Sequence, residues 1–346
     1  AHIRTLLLTF FFRQMPELVK RGKIFIAQPP LYQIARGHGK KKDIKYVLND
    51  RAMSDSLVDL ALKYAKLMVR GDDGKSMHTV EGPVLRRLVQ TLHRLDELIV
   101  VSQRRGIPFQ RLLDSRQRDP SGERRLPSWH LAWQEGDEVF WNEQEARGSV
   151  ERLKLTLDDD PAEAVSAAPR NRIATLRELH ENRELERLIR EIAAHHLRIE
   201  DWSAVQEESI TGEKMPTRYA WLVEGAAKAR PKDEEGDAGE PETPAPEPTG
   251  PRIEYVEAPS IPSILRTLHE VGRRGIEVKR FKGLGEMDAE QLWDTTMDPK
   301  HRTFLRVSWD SASEADTLFA TLMGENVEQR RAYIEKHAIE VKNLDV

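Results

Sequence analysis

Residues 280–299 read Arg-Phe-Lys-Gly-Leu-Gly-Glu-Met-Asp-Ala-Glu-Gln-Leu-Trp-Asp-Thr-Thr-Met-Asp-Pro. The run Gly275–Phe281 before the lysine predicts a strand, so Lys282 stands where a strand opens into a loop. Gly283 and Gly285 flank it closely, and glycine removes the Cβ that would keep a ligand off the backbone. Amides and one ammonium could therefore meet a phosphate together; the plain alternative makes both glycines turn residues and Lys282 a solvated side chain. Glu286 follows, then a short helix with Leu292 and Trp293 on its apolar side, closed by Pro299. Trp293 and Met297 are expected in the core. No third glycine completes a dinucleotide fingerprint, and no Gly-x-x-x-x-Gly-Lys-Ser/Thr is present.

Two other stretches accompany this one. The chain opens Ala-His-Ile-Arg-Thr-Leu-Leu-Leu-Thr-Phe-Phe-Phe-Arg-Gln-Met-Pro, and residues 27–32 read Ala-Gln-Pro-Pro-Leu-Tyr. Together, in this order, the three resemble the B subunit of bacterial DNA gyrase, a type IIA topoisomerase. The resemblance is direct over about residues 1–49 and 260–346. It implies an α/β fold: the C-terminal part of a Toprim domain and the start of the gyrase B tail in 1–49, a large α+β insert in 50–259, and the helical C-terminal tail of gyrase B in 260–346. It also implies that an acidic Asp-x-Asp-x-Asp-Gly motif and an ATPase domain belong upstream, so the chain is expected to be a C-terminal fragment, inactive alone and with an open sheet edge.

Between these stretches the reading rests on pattern. A helix is predicted over 1–20, stopped near Pro16, and a strand over 23–27. A hairpin joins Tyr32 and Ile34 to Tyr46, Val47 and Leu48 through a turn holding Lys40, Lys41 and Lys42. Leu57, Leu60, Ala61, Tyr64 and Met68 recur at helical spacing, with Ser54 or Asp55 as N-cap. Pro83 opens a second helix carrying Leu85, Leu88, Leu92, Leu95 and Ile99. Strands are predicted within 129–157, then a helix over about 172–197 that includes Ile173, Leu176 and the adjacent His195 and His196. Residues 229–250 hold five prolines and seven acidic residues without a large apolar side chain, a disordered composition. Helices carrying Ile261–Leu268, Glu314–Met323 and Val327–His337 follow.

Composition narrows the classes. There are no cysteines, hence no disulfide and no thiolate metal site. No apolar run approaches the roughly 18 residues a membrane span needs, so no membrane partner is expected. The net charge of −4 excludes a uniformly basic nucleic-acid binder, and any such contact must be a local patch. His195 and His196 lack a ligand at i+4, and Asp158, Asp159 and Asp160 run into Pro161; neither group reads as a metal site.

The resemblance assigns roles to the candidates. Lys282 would stabilise charge building up on a cleaved phosphodiester, with Arg4 and His2 also touching phosphate; the alternative is that they solvate a helix start. Glu286 is a possible second-layer carboxylate near a metal, or a helix-start acid complementing the dipole. Lys40, Lys41 and Lys42, with Lys282, would contact DNA backbone, or else form a solvated turn. The activity implied is ATP-dependent negative supercoiling of double-stranded DNA by a cytoplasmic A2B2 complex. The A subunit supplies the tyrosine nucleophile, upstream carboxylates hold Mg²⁺, and a missing N-terminal domain binds ATP. None of the six tyrosines here sits in a nucleophile motif. Rival readings are the B-type subunit of topoisomerase IV, a decatenase, and a non-catalytic DNA-binding or interaction module.

Overall fold

The computed structural model describes residues 2–37, 42–72, 77–160, 169–225, 253–309, 311–324 and 326–337. The chain is mixed α/β and divides into two compact units, residues 1–56 with 275–346, and Leu57–Arg274.

The first unit is built on a three-stranded antiparallel sheet. Tyr32–Arg36 is its centre, with Ile276–Arg280 on one side and Asp43–Val47 on the other. Ile34 faces Val278 and Lys45 across this sheet, and Ile34 and Val47 are buried. A separate two-stranded ladder pairs Phe25–Ala27 with Phe304–Arg306. The opening apolar run is helical over His2–Gln14 and again over Pro16–Lys20. The break is local: a residue before proline is pushed out of the helical region, and Met15 sits at φ −135°, ψ 53°. Phe12 stacks on Phe319 at 4.6 Å and meets Trp309 edge-on at 5.2 Å, while Arg13 pairs with Asp316 at 3.1 Å. These contacts join the opening helix to the helix Ala312–Met323.

In the second unit one sheet runs Ile253–Ala258, Tyr219–Glu224, Ala65–Arg70, Met77–Val80, all antiparallel. Trp221, Tyr219 and Leu67 from its centre are fully buried beneath the helices Gly82–Arg104, Glu181–Ala193 and Ile261–Gly272. The long helix begins at Gly82 with Pro83 in its first turn, and Leu85, Leu88, Leu92, Leu95 and Ile99 form its inner stripe. Ile261–Gly272 is capped by Ser260, whose side chain accepts from the Ser263 amide. A Cβ on Gly272 would lie 2.2 Å from the Leu57 carbonyl oxygen, so only glycine fits there. A smaller sheet orders Gly136–Phe140, Trp129–Trp133, Ile173–Glu178 and Thr156–Leu157, its last pair parallel.

Several local expectations change. The helix predicted through Met68 ends at Ala61, and Ala65–Arg70 is a central strand whose Met68 faces Ala220. Its apolar residues are covered on both faces, and such a run carries no period that separates strand from helix. The cap of the preceding helix is Asn49, which accepts the Ala52 amide at 2.9 Å, in place of Ser54 or Asp55. Within 129–157, Glu143–Leu153 is a helix capped by Asn142. Ile173 and Leu176 lie on a strand paired to Trp129–Trp133, and the helix starts only at Glu181. His195 and His196 follow the end of that helix, with His196 at φ 64°. Trp293 and Met297, expected in the core, are 56% and 53% exposed. The chain widens to a π-turn over Trp293–Met297, which shifts the angular phase and buries Thr295 and Thr296 instead. Residues 229–250 and the lysines at 40 and 41 lie outside the described residues.

Candidate functional site

The candidate loop is launched from the strand Ile276–Arg280. Phe281 is buried, and its amide donates to the Leu31 carbonyl at 2.9 Å, which anchors the strand end to the segment before Tyr32. The next residue emerges into solvent. Lys279 places its ammonium 4.9 Å from the centre of the Phe281 ring, and the Arg280 guanidinium lies 5.9 Å from that of Tyr32. Lys279 and Arg280 therefore lie on opposite faces of the strand, and Lys279 is the one turned toward the loop, its ammonium donating to the Glu286 carbonyl at 3.4 Å. Neither Lys279 nor Arg280 stood out in the sequence; the residues that gave them rings to sit on are partly contributed by a strand far away in the chain.

The loop is closed by Glu286. Its carboxylate accepts the Lys282 amide at 3.1 Å, and its own amide donates to the Gly283 carbonyl at 3.2 Å. The Lys282 amide is therefore engaged inside the loop, and the ammonium is the part of Lys282 that faces outward. Gly283 has extended backbone, at φ −167° and ψ 170°. Neither Gly283 nor Gly285 has positive φ, and a Cβ at either would meet no atom within 4 Å. A tight-turn requirement therefore does not explain these two glycines. What remains is the open face they leave, where a group from outside could approach the backbone.

Beyond the loop, Asp288 caps the helix Ala289–Leu292 by accepting the Gln291 amide at 2.8 Å. Asp298 holds the His301 ring at 2.7 Å and the Lys300 amide at 3.0 Å. An open cleft of about 490 Å³ lies here, lined by Pro30, Tyr46, Leu48, Asp294, Thr295, His301 and Thr303. Burial, followed by the charges of Asp288, Asp294 and Glu290, pushes the Tyr46 hydroxyl above its ordinary range. This side of the region is acidic and unsuited to a phosphate, in contrast with the Lys279–Lys282 side.

The other candidates stand apart. His2 is the first residue of the helix His2–Gln14, and its side chain lies outside the described set; Arg4 is exposed in the same turn. Lys42 pairs with Glu277 at 2.7 Å, which holds that carboxyl below its usual range. No hydrogen bond or ion pair among the described residues joins Arg4, Lys42 and Lys282. Nor does any group of three or more His, Cys, Asp or Glu side chains gather among them to hold a metal ion. No described helix is long and apolar enough to cross a membrane.

The loop falls within residues 273–335, which match the family described as the DNA gyrase B subunit, carboxyl terminus. Beyond that stretch, the chain is 34% identical over 353 residues to the DNA gyrase B protein of Rickettsia bellii, and 31% over 352 to that of Chlamydia muridarum. Each match covers 100% of this chain. The chain belongs to the DNA gyrase B family. The gyrase B of Caulobacter vibrioides is 30% identical over 353 residues, covering 99% of the chain and 35% of that protein. The chain spans about 36% of the length of the first two relatives. Because the matches run its whole length, the unit Leu57–Arg274 is shared with these gyrase B proteins along with the Lys282 loop.

Proposed function

We propose that this chain serves DNA gyrase, as the part of gyrase B that completes a Toprim domain and packs on the A subunit. In the assembled A2B2 enzyme, one double-stranded DNA segment would be cut, a second passed through, and the first resealed. The A subunit would supply the tyrosine, and an ATPase domain elsewhere in gyrase B would drive negative supercoiling. The observation that carries the reading is the Lys282 loop inside a gyrase B match. It presents the Lys282 ammonium, with Lys279 beside the loop, and two glycines whose Cβ positions are open.

Lys282 would favour the charge that accumulates on a phosphodiester oxygen during cleavage, since a fixed cation gains strength where the charge develops. Glu286 would hold the loop in shape through the Lys282 amide, acting as a positioning residue. Mg²⁺ would supply Lewis-acid stabilisation of the same phosphate. Among the described residues no group of three or more His, Cys, Asp or Glu side chains could hold it, so its ligands would come from elsewhere in gyrase B.

The test uses complete gyrase B with its A partner. Lys282→Ala should reduce DNA cleavage by on the order of 10²-fold while ATP hydrolysis stays near normal. Cleavage at the parental level would remove Lys282 from the chemistry. A complete enzyme that decatenates but does not introduce negative supercoils would assign the chain to topoisomerase IV.

A further inference from the structure

A second cleft, lined by three arginines, lies in the unit Leu57–Arg274, well away in sequence from the Lys282 loop. It encloses about 450 Å³ and is lined from separate elements. Arg70 and Asp72 come from the end of the strand Ala65–Arg70, His78 from the next strand, His196 and Arg198 from beyond the helix Glu181–Ala193, and Arg218 from beside Tyr219–Glu224.

One carboxylate organises its mouth. Arg198 grips Asp72 with both terminal nitrogens, one at 2.9 Å, and Arg218 donates to the Oδ1 of the same carboxylate. Two guanidiniums converging on one pair of oxygens is the arrangement that recognises phosphate. The Asp72 side chain is 62% exposed, so it enters this fork from the water side. Exposed ion pairs of this kind add little to stability, and displacing the carboxylate costs correspondingly little.

Arg218 does not depend on Asp72 for its position. Its Nε lies 3.3 Å from Asp201, and it donates to the Arg70 carbonyl at 3.3 Å. Asp201 is itself held by the Tyr219 hydroxyl at 2.6 Å, whose oxygen accepts the Arg198 amide at 3.0 Å. Arg70 is committed to Glu257 through two hydrogen bonds of 2.7 and 2.8 Å. With Asp72 in place the three arginines are balanced by Asp72, Asp201 and Glu257; without it the cluster keeps one positive charge, with Arg218 still anchored and Arg198 released to meet an incoming group. Also lining the cleft, the exposed His78 and His196 rings meet edge to face at 4.8 Å, adding ring N–H groups. His196 sits in the left-handed region at φ 64°, which histidine seldom adopts and which here aims its ring at His78.

We propose that this cleft is a phosphate site in which Asp72 is the resident placeholder: an incoming phosphate group displaces its carboxylate from Arg198 and Arg218, with His78 and His196 as further donors. The proposal does not rest on the gyrase reading. The phosphate could come from a DNA backbone or from a soluble polyphosphate, and the two are separated by the probe.

The 346-residue chain is titrated with inorganic pyrophosphate by calorimetry and with a short labelled DNA duplex by fluorescence anisotropy. Asp72→Asn should tighten at least one probe about tenfold, because the internal competitor is gone while Arg218 stays anchored. The charge-matched control Asp59→Asn, at an exposed pair with Arg86, should change neither by more than about twofold. The gain should vanish when Arg218→Ala is added. Tightening of pyrophosphate identifies a soluble ligand; tightening of the duplex alone identifies DNA backbone. No tightening of either probe, or a gain that survives Arg218→Ala, overturns the site. If Asp72→Asn does not fold, the unaltered chain decides: the His78 and His196 ring resonances must shift with pyrophosphate or duplex, and silence to both overturns it.

Discussion

The helix Gly82–Arg104 and the helix His2–Gln14 are both rich in leucine, yet they are treated in opposite ways. The first, in the unit Leu57–Arg274, turns Leu85, Leu88, Leu92 and Leu95 inward to near-zero exposure and leaves its arginines to water. The second, in the unit of residues 1–56 and 275–346, leaves Leu6, Leu7 and Phe10 about half exposed. The contrast lies in the core, since the unit Leu57–Arg274 also exposes Met77, Val205 and Ile210. The large core cluster, with Trp221, Tyr219 and Leu185, lies wholly within 57–274. The other unit also exposes Phe25, Leu305, Trp293, Met297, Val327 and Ile334. Under the proposed function, the unit Leu57–Arg274 stabilises itself, whereas the other is finished by the remainder of gyrase B and by the A subunit.

The contrast can be broken at its strongest point first. Trp221→Ala removes a fully buried ring whose Nε1 donates to the Ile264 carbonyl at 3.1 Å, and should cost ~3–5 kcal/mol in urea unfolding. A loss below ~1 kcal/mol would mean the unit Leu57–Arg274 has no such core. Gly272→Ala comes next. The added methyl collides with the Leu57 backbone, and the expected cost is ~1–3 kcal/mol, with the unit's own melting transition lowered. An unchanged transition would show that the two segments separate freely.

A pH effect distinguishes the units more gently. Burial, with the neighbouring His93 and Arg273 charges, pulls the His269 imidazole down to about 4. In the unfolded chain it titrates near ~6.5. Between these values the unfolded state binds a proton that the folded state refuses, so stability falls as pH drops through about 6.5 and levels off below about 4. His269→Gln should flatten that slope in the transition of the unit Leu57–Arg274; an unaltered slope would move the effect elsewhere. The smallest effect belongs to the other unit. Trp293→Ala should change stability by less than ~0.5 kcal/mol, because the ring is already exposed, while improving solubility of the chain. A loss of ~2 kcal/mol would show that the ring is packed after all.

Legibility in the sequence followed the range of the interactions. The helices at 82–104 and 261–272 each have a proline in the first turn and an apolar stripe at helical spacing, and each was readable from pattern within its own residues. The strand running into Lys282 was equally plain. The site was legible as a loop but not as an arrangement: the sequence pointed to Lys282 and Glu286, and nothing in it disclosed that the Glu286 carboxylate takes the Lys282 amide. Nor did it disclose that Lys42 would find Glu277, 235 positions away. Tyr64 and Met68, and later Ile173 and Leu176, fit a helical spacing by coincidence, since short apolar runs satisfy both periods.

The sequence by itself determined the strongly periodic helices, the resemblance to gyrase B, and the loop that follows the strand into Lys282. Tertiary structure alone decided which apolar residues were buried. Strand or helix was settled at Met68 by pairing with Ala220, and exposure at Trp293 by a widened turn. It also made the Arg198–Asp72–Arg218 fork, from residues separated by 126 and 146 positions. Local propensity is encoded in neighbours along the chain, whereas burial and charge pairing depend on partners that only folding brings within a few ångströms.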